Sequence, residues 1–239
     1  MYERIKCSYC ERRSANYLRR QSGEKLCVTC LYRDLVKEVK RAFSLAYKRG
    51  VGLKVGILVC SCWLVEGFVL SKILNDIERG FQGVTVGLVV EDFLLGCANE
   101  LRKYVDDVVF LPGESICAER YLNPESFLNL LGIRLDIIAV PLTLNDILAT
   151  FLRNLLYYNT VLKPWVSARS GDLNVLIPMY RILRSDIYSY ALVSGVLEHV
   201  GNCPRCEEKI EIVDKLVTSI SMEHPELLYR FLRSYLTLP

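Results

Sequence analysis

The chain has 239 residues, of which 51% are hydrophobic and 24% are charged, and its net charge is +3. This composition supports a sizeable buried core and excludes an intrinsically disordered chain. The charge is uneven, because residues 1–54 carry fourteen Lys or Arg but only five Asp or Glu. A basic N-terminal segment on an acidic body indicates an anionic partner, with a merely solvated basic face as the alternative.

Four N-terminal cysteines, Cys7, Cys10, Cys27 and Cys30, form a C-x2-C-x16-C-x2-C array. This spacing is typical of a structural zinc site with four thiolate ligands. The residues before Cys7 do not read as a signal peptide, so we expect a cytoplasmic protein whose thiols stay reduced. The most apolar stretch, residues 55–70, is short and interrupted by Glu66, which argues against a membrane span.

Basic residues are concentrated in and just after the cysteine array, where Tyr9 and Tyr17 could also stack on bases. This pattern favours nucleic acid as the anionic partner. The predicted RNA-binding residues are Arg12, Arg13, Arg19, Arg20, Lys25, Lys37, Lys40 and Arg41.

Strand-like and helical patterns alternate after the array. A helix follows Cys30 and ends near Gly50. The predicted strands cover 54–62, 84–90, 107–111 and 135–140, and the helices between and after them cover 68–77, 92–104, 124–131 and 144–157. The alternation predicts an α/β fold with a parallel sheet and helices on both faces, followed by a helical segment. We expect a zinc ribbon over 1–32, a basic linking helix over 33–52, an α/β domain over 53–183 and a helical segment over 184–239.

Three blocks resemble the tRNA 2-thiolation proteins of the TtuA-like and cytoplasmic wobble-uridine thiolase type, which belong to the PP-loop ATPases. The first block is the cysteine array. The second is Leu135–Leu156, which keeps Asp146, Thr150, Asn154 and Leu155 of the family's strand-then-helix segment. The third is Asn202-Cys203-Pro204 with the later Glu223-His-Pro-Glu226. The resemblance implies the PP-loop fold and a role in tRNA thiolation.

The ATP motifs of that family are missing from this chain. Where the family has S-G-G-x-D-S after the first strand, the chain reads Val59-Cys60-Ser61-Cys62-Trp63-Leu64-Val65-Glu66-Gly67, and its one glycine, Gly67, comes too late to shape the turn. The family's G-H-N motif has become Pro141-Leu142-Thr143. Without the glycines, backbone amides cannot approach a pyrophosphate. We therefore predict a degenerate nucleotide site at Ser61, Cys62, Trp63 and Asp146 that no longer binds ATP.

A second group of cysteines, Cys117, Cys203 and Cys206, could bind a metal or cluster if the fold brings it together. Some relatives hold an iron–sulfur cluster with a C-x-x-C pair and the cysteine of E-C-P, but only Cys117 occupies the region of that pair here. The incomplete set argues against a cluster. Cys60 and Cys62 are expected to be small core residues.

These observations predict a non-catalytic, tRNA-binding subunit in wobble-uridine 2-thiolation. It would dock an active PP-loop homologue, or alternatively a second copy of itself. Other possibilities are a zinc-anchored adaptor without an RNA role and an enzyme that uses Cys60, Cys62 or Cys117 as a sulfur carrier, which requires an exposed thiolate.

Overall fold

The computed structural model describes residues 5–46, 53–78, 85–91, 94, 105, 107–111, 135–160, 166–170, 173–200 and 212–237. The chain begins with a small cysteine-bearing module, in which β1 (Tyr17–Arg19) pairs antiparallel with β2 (Glu24–Leu26). The long helix α1 (Val28–Ala46) follows directly. The expected boundary between residues 32 and 33 therefore falls inside α1, and the helix carries Cys30 in its first turn.

A six-stranded sheet forms the body, in the order β5-β4-β3-β6-β8-β7. Its strands are β3 (Lys54–Val59), β4 (Thr85–Glu91), β5 (Asp107–Leu111), β6 (Ile137–Ala139), β7 (Ser167–Ser170) and β8 (Leu173–Leu176). Neighbouring strands are parallel except at one edge, where β7 runs antiparallel to β8. The predicted α/β class is confirmed, and the antiparallel edge strand is an addition to it.

Helices cover both faces of this sheet, as the alternating pattern predicted. In the described ranges they are α1 and α2 (Leu64–Glu78), α3 (Leu144–Tyr158), α4 (Arg184–Val193), α5 (Val196–Val200), α6 (Ile212–Glu223) and α7 (Pro225–Tyr235). The described residues 212–237 are therefore mainly helical, and Pro225 begins α7. None of the helices in the described ranges combines the length and the apolarity needed to cross a membrane.

The sheet separates two hydrophobic cores, because successive side chains of a strand point to opposite faces. On β3, Val55, Ile57 and Val59 pack with α1, α2 and α4. Leu58 points the other way and packs with α3, α6 and α7. Strands buried on both faces have nearly continuous apolar sequences, which is why β3 was recognisable from its sequence.

Gly67 sets the distance between α2 and the sheet. A Cβ atom at this position would lie 3.1 Å and 3.2 Å from the two methyl carbons of Val59. The glycine therefore allows a close approach of helix and strand, and it has no part in shaping a phosphate-binding turn.

Candidate metal centre and nucleic-acid interface

The four N-terminal cysteines converge on one point. The sulfur atoms of Cys7, Cys10, Cys27 and Cys30 all lie within 4.8 Å of one another, and those of Cys10 and Cys27 are 3.8 Å apart. Tetrahedral coordination with metal–sulfur bonds near 2.3 Å places ligand sulfurs about 3.8 Å apart. The donor set and its spacing therefore fit a four-thiolate metal centre, and all four residues are free thiols rather than disulfides.

Two tight turns and the start of α1 build this cysteine cluster. The Glu11 amide donates to the Cys7 carbonyl at 2.9 Å, and the Cys30 amide donates to the Cys27 carbonyl at 3.1 Å. The two turns are tied together because the Ser8 amide donates to the Lys25 carbonyl at 2.7 Å. The sixteen residues between the cysteine pairs thus form a hairpin that returns the chain to the first pair.

The surroundings of the cluster act on the thiols in opposite directions. Burial disfavours ionisation of Cys7, but backbone amides that donate to its sulfur lower the pKa of Cys7 to about 6. Burial raises the pKa of Cys30 to about 12, although the Arg33 guanidinium favours the thiolate. Metal ligands must be thiolates, so the amides and Arg33 help to prepare the cluster for a cation.

One face of α1 carries a row of exposed basic side chains next to the cluster. Arg33, Lys37, Lys40 and Arg41 recur at helical spacing and are all exposed, and we call them the basic stripe. The opposite face buries Leu31, Leu35 and Val39 in the core. The helix is thus fixed by its apolar face and presents its cations to solvent.

Six of the eight predicted RNA-binding side chains are exposed and make neither an ion pair nor a side-chain hydrogen bond within the described part of the chain. They are Arg12, Arg13, Lys25, Lys37, Lys40 and Arg41. Arg12 and Arg13 lie beside the cluster, where their backbone amides donate to the sulfur of Cys10. Arg33 of the basic stripe also touches the cluster, at the sulfur of Cys30.

Arg19 and Arg20, also predicted to bind RNA, instead make contacts within the protein. The Arg19 guanidinium donates to Asp34 at 2.9 Å and lies 3.3 Å from Glu24 and 3.6 Å from Asp186. Only 12% of the Arg19 side chain is exposed. Arg20 is exposed but donates to the backbone carbonyl of Met222 at 2.7 Å. The structure therefore gives Arg19 a role in holding the module on the body.

Asp186 on α4 is the buried partner in that attachment. Its carboxylate accepts a hydrogen bond of 2.6 Å from the Tyr17 hydroxyl. Burial and, to a lesser extent, the charge of Asp186 raise the pKa of Tyr17. The phenol therefore stays protonated and can donate its hydrogen bond to Asp186. Tyr17, predicted as a stacking residue, thus faces the protein interior.

The crevice where an α/β sheet normally binds its ligand lies between β3 and β6. The chain runs from β3 to β4 on one side and later returns to β6 on the other, so the strand order switches direction there. Ligands of such sheets bind outside the carboxyl ends of the strands at this switch point. The structure places at this switch point the four residues that follow β3 and β6 and were predicted to form a degenerate nucleotide site, namely Ser61, Cys62, Trp63 and Asp146.

Side chains of the protein itself occupy this crevice. The Trp63 indole N–H donates to Asp146 at 3.0 Å, and the Arg184 guanidinium donates to the same carboxylate oxygen. The Thr143 amide donates to the other oxygen of Asp146 at 2.8 Å, which forms a capping box at the start of α3. Trp63 and Asp146 are 8% and 7% exposed, so the two predicted residues meet in the interior.

Glu66 lies beside this group and is 1% exposed. Its Oε1 atom is 3.4 Å from Arg184 Nε, and its Oε2 atom has no hydrogen-bond partner within the described ranges. Burial raises the pKa of Glu66 to about 7, which Arg184 partly opposes. Two buried carboxylates and one arginine therefore lie together beside Trp63 in this crevice.

Cys60 and Cys62 follow β3 and have different surroundings. Cys60 is fully buried, as a core residue was predicted to be. Cys62 is half-buried and packs against the core. It takes part in a disulfide bond, so the expectation that the thiols stay reduced is wrong for Cys62. The second predicted metal group, Cys117, Cys203 and Cys206, lies outside the described residues.

Comparison with known proteins supports the fold. No protein-family model and no curated protein sequence matches the chain. The chain is similar in structure to the U34-tRNA thiolase NcsA from Methanococcus maripaludis, solved with its [4Fe-4S] cluster, with a TM-score of 0.69 and 14% identity. The match covers 98% of this chain and 87% of the thiolase. A second structure, phosphoadenylyl-sulfate reductase from Candida auris, matches with a TM-score of 0.39 and 10% identity. The match covers 76% of this chain and 95% of the reductase, and the likeness is too weak to support an argument. The chain therefore shares its overall fold with this thiolase.

The prediction against an iron–sulfur cluster is wrong. A structure with the same fold carries a [4Fe-4S] cluster, and the four N-terminal sulfurs of this chain form a group that could hold a metal. The prediction relied on an incomplete C-x-x-C at Cys117, which says nothing about the N-terminal group. Four thiolates serve both zinc and iron–sulfur centres, so spacing alone does not separate the two.

Two residues at these sites were missed by sequence reasoning. Arg33 contacts the sulfur of Cys30 in the cysteine cluster, and its position three residues after Cys30 on a helix is a signal that could have been used. Arg184 lies 38 residues after Asp146 and reaches it only through the tertiary fold, so no local pattern marked it.

Proposed function

We propose that this protein is a non-catalytic, tRNA-binding subunit in the 2-thiolation of wobble uridine, and that it acts beside an active PP-loop homologue. The observation that carries the proposal is the basic stripe on α1 next to the cysteine cluster, in a fold similar to that of a U34-tRNA thiolase. Exposed lysines and arginines on one rigid helix face suit the phosphates of folded RNA.

The non-catalytic part of the proposal is supported by the crevice between β3 and β6. Trp63, Glu66 and Asp146 are buried there, and Arg184 joins the two carboxylates. Asp146, and Glu66 when it is ionised, would repel a triphosphate, and the bulky indole replaces the glycine backbone that a phosphate-binding turn needs. An active homologue would then supply the ATP chemistry, and this chain would supply RNA contacts.

The alternative of a sulfur-carrier enzyme has no specific support in the described residues. Such chemistry needs an accessible thiolate. Cys60 is fully buried and Cys62 is in a disulfide bond, while Cys117 lies outside the described ranges.

Salt-dependent binding of purified tRNA tests the RNA part of the proposal. The variant K37Q/K40Q/R41Q should bind more weakly, and the slope of log K against log salt should become shallower by about two to three units if each cation meets one phosphate. The matched control K215Q/R230Q/R233Q removes three exposed cations from α6 and α7 and should keep the wild-type slope. Equal slopes for the two variants, or no tRNA binding by the wild type, would contradict the proposal.

The non-catalytic part has its own test. In equilibrium dialysis, the purified chain alone should retain no ATP, whereas a tagged chain should recover a PP-loop ATPase from its native cells. Saturable ATP binding or hydrolysis by the chain alone would overturn this part and leave the RNA part standing.

A further inference from the structure

Arg33 differs from the rest of the basic stripe because it touches the cysteine cluster. Its Nη2 atom donates to the sulfur of Cys30 at 3.5 Å, across one turn of α1. Lys37, one turn further along the same face, has no such contact within the described residues. The stripe therefore contains one cation directed at sulfur and three directed at solvent.

The charge of a loaded four-thiolate centre explains why a cation belongs there. Four thiolates exceed the charge of a divalent ion by two, so the loaded centre is a dianion. Cys30 is 1% exposed, and water therefore solvates its sulfur poorly. A guanidinium in contact with this sulfur offsets part of the excess charge and orients the ligand, as partners of metal ligands commonly do.

We propose that Arg33 is a positioning residue of the metal centre, which slows metal loss by donating to Cys30, and that it is not one of the phosphate contacts. The RNA-facing part of the stripe then begins at Lys37. This inference holds whether or not the chain acts in tRNA thiolation, because it concerns only metal retention.

Metal release from the full chain tests the proposal in the absence of RNA. The protein is loaded with zinc, challenged with excess chelator, and followed by a colorimetric zinc indicator. R33Q should release zinc roughly three- to tenfold faster than the wild type. Loss of a hydrogen-bond partner of a metal ligand typically changes metal affinity or activity about 10–100-fold. We expect a smaller effect here because Arg33 is exposed. K37Q removes a cation from the same face and should release zinc at the wild-type rate.

Two further measurements separate this role from simple destabilisation. In the cobalt(II)-loaded protein, the sulfur-to-cobalt charge-transfer band should shift in R33Q but not in K37Q, because only Arg33 donates to a ligand sulfur. R33K keeps the charge and should recover part of the slow release. Equal release from R33Q and K37Q, or an unshifted band in R33Q, would overturn the proposal even if both variants fold normally.

Discussion

Replacing Glu66 by glutamine should stabilise the protein above pH 7. The Glu66 carboxylate is 1% exposed, and its Oε2 atom lacks a hydrogen-bond partner within the described ranges. Its neighbours include a second carboxylate, Asp146, as well as Arg184. Desolvation has the largest influence on the pKa of Glu66. Inside the folded protein, the free energy lost by desolvating the ionised carboxylate therefore exceeds its favourable interaction with Arg184.

The size of the effect follows from the shift in pKa. Burial raises the pKa of Glu66 from 4.5 to about 7. A shift of this size corresponds to about 3 kcal/mol between the two protonation states. Glutamine puts an unpartnered amide where Oε2 was, at a cost of about 1 kcal/mol or more, so the expected net gain at pH 8 is about 1–2 kcal/mol.

The sign of the pH dependence is fixed by the raised pKa. A carboxyl group that binds its proton more tightly in the folded state favours folding below about pH 4.5, and this contribution is lost as the pH rises to about 7. Wild-type stability should therefore fall over this interval relative to E66Q. The two proteins should be nearly equally stable at pH 5 and should diverge by pH 8.

Urea denaturation followed by circular dichroism at pH 5, 6, 7 and 8 measures this difference. The control E223Q changes an exposed glutamate at the end of α6 and should show no comparable divergence. The reasoning is refuted if E66Q is less stable than the wild type by the same amount at every pH, because the Glu66–Arg184 pair would then be a net stabilising interaction.

Further predictions concern the attachment of the module, helix packing and the metal centre. Y17F removes the 2.6 Å hydrogen bond to Asp186 and should lower the free energy of unfolding by about 1–3 kcal/mol in urea titrations; an unchanged midpoint would contradict this attachment. G67A forces a methyl group against Val59 and should lower the free energy of unfolding by about 1 kcal/mol, after allowing for the higher helix propensity of alanine. A variant more stable than the wild type would contradict the packing described. C10S should reduce bound metal, measured by elemental analysis for zinc and iron together with a sulfide assay; unchanged metal content would contradict the four-cysteine ligand set.

Features encoded by local spacing were predictable from the sequence. The cysteine cluster depends on two C-x2-C turns, each of which fixes its own geometry within four residues. The basic stripe follows from the helical period of α1, and β3 follows from its unbroken apolar sequence. In each case the signal lies within one element.

Features that depend on distant partners were not predictable. Arg19 was indistinguishable in sequence from the exposed arginines around it, and only the fold shows that it meets Asp186. β7 reads Ser-Ala-Arg-Ser, which lacks an apolar alternation because it lies at a sheet edge. The sequence also could not distinguish a zinc site from an iron–sulfur site, because both use four cysteine ligands.

Cross-linking of tRNA to the metal-loaded protein, with the linked peptides identified by mass spectrometry, tests the central proposal most directly. The account predicts cross-links on the exposed face of α1 from Lys37 to Arg41 and on the turn that carries Arg12 and Arg13. Cross-links confined to α6 and α7, or the absence of any tRNA adduct at concentrations where binding is measured, would contradict it.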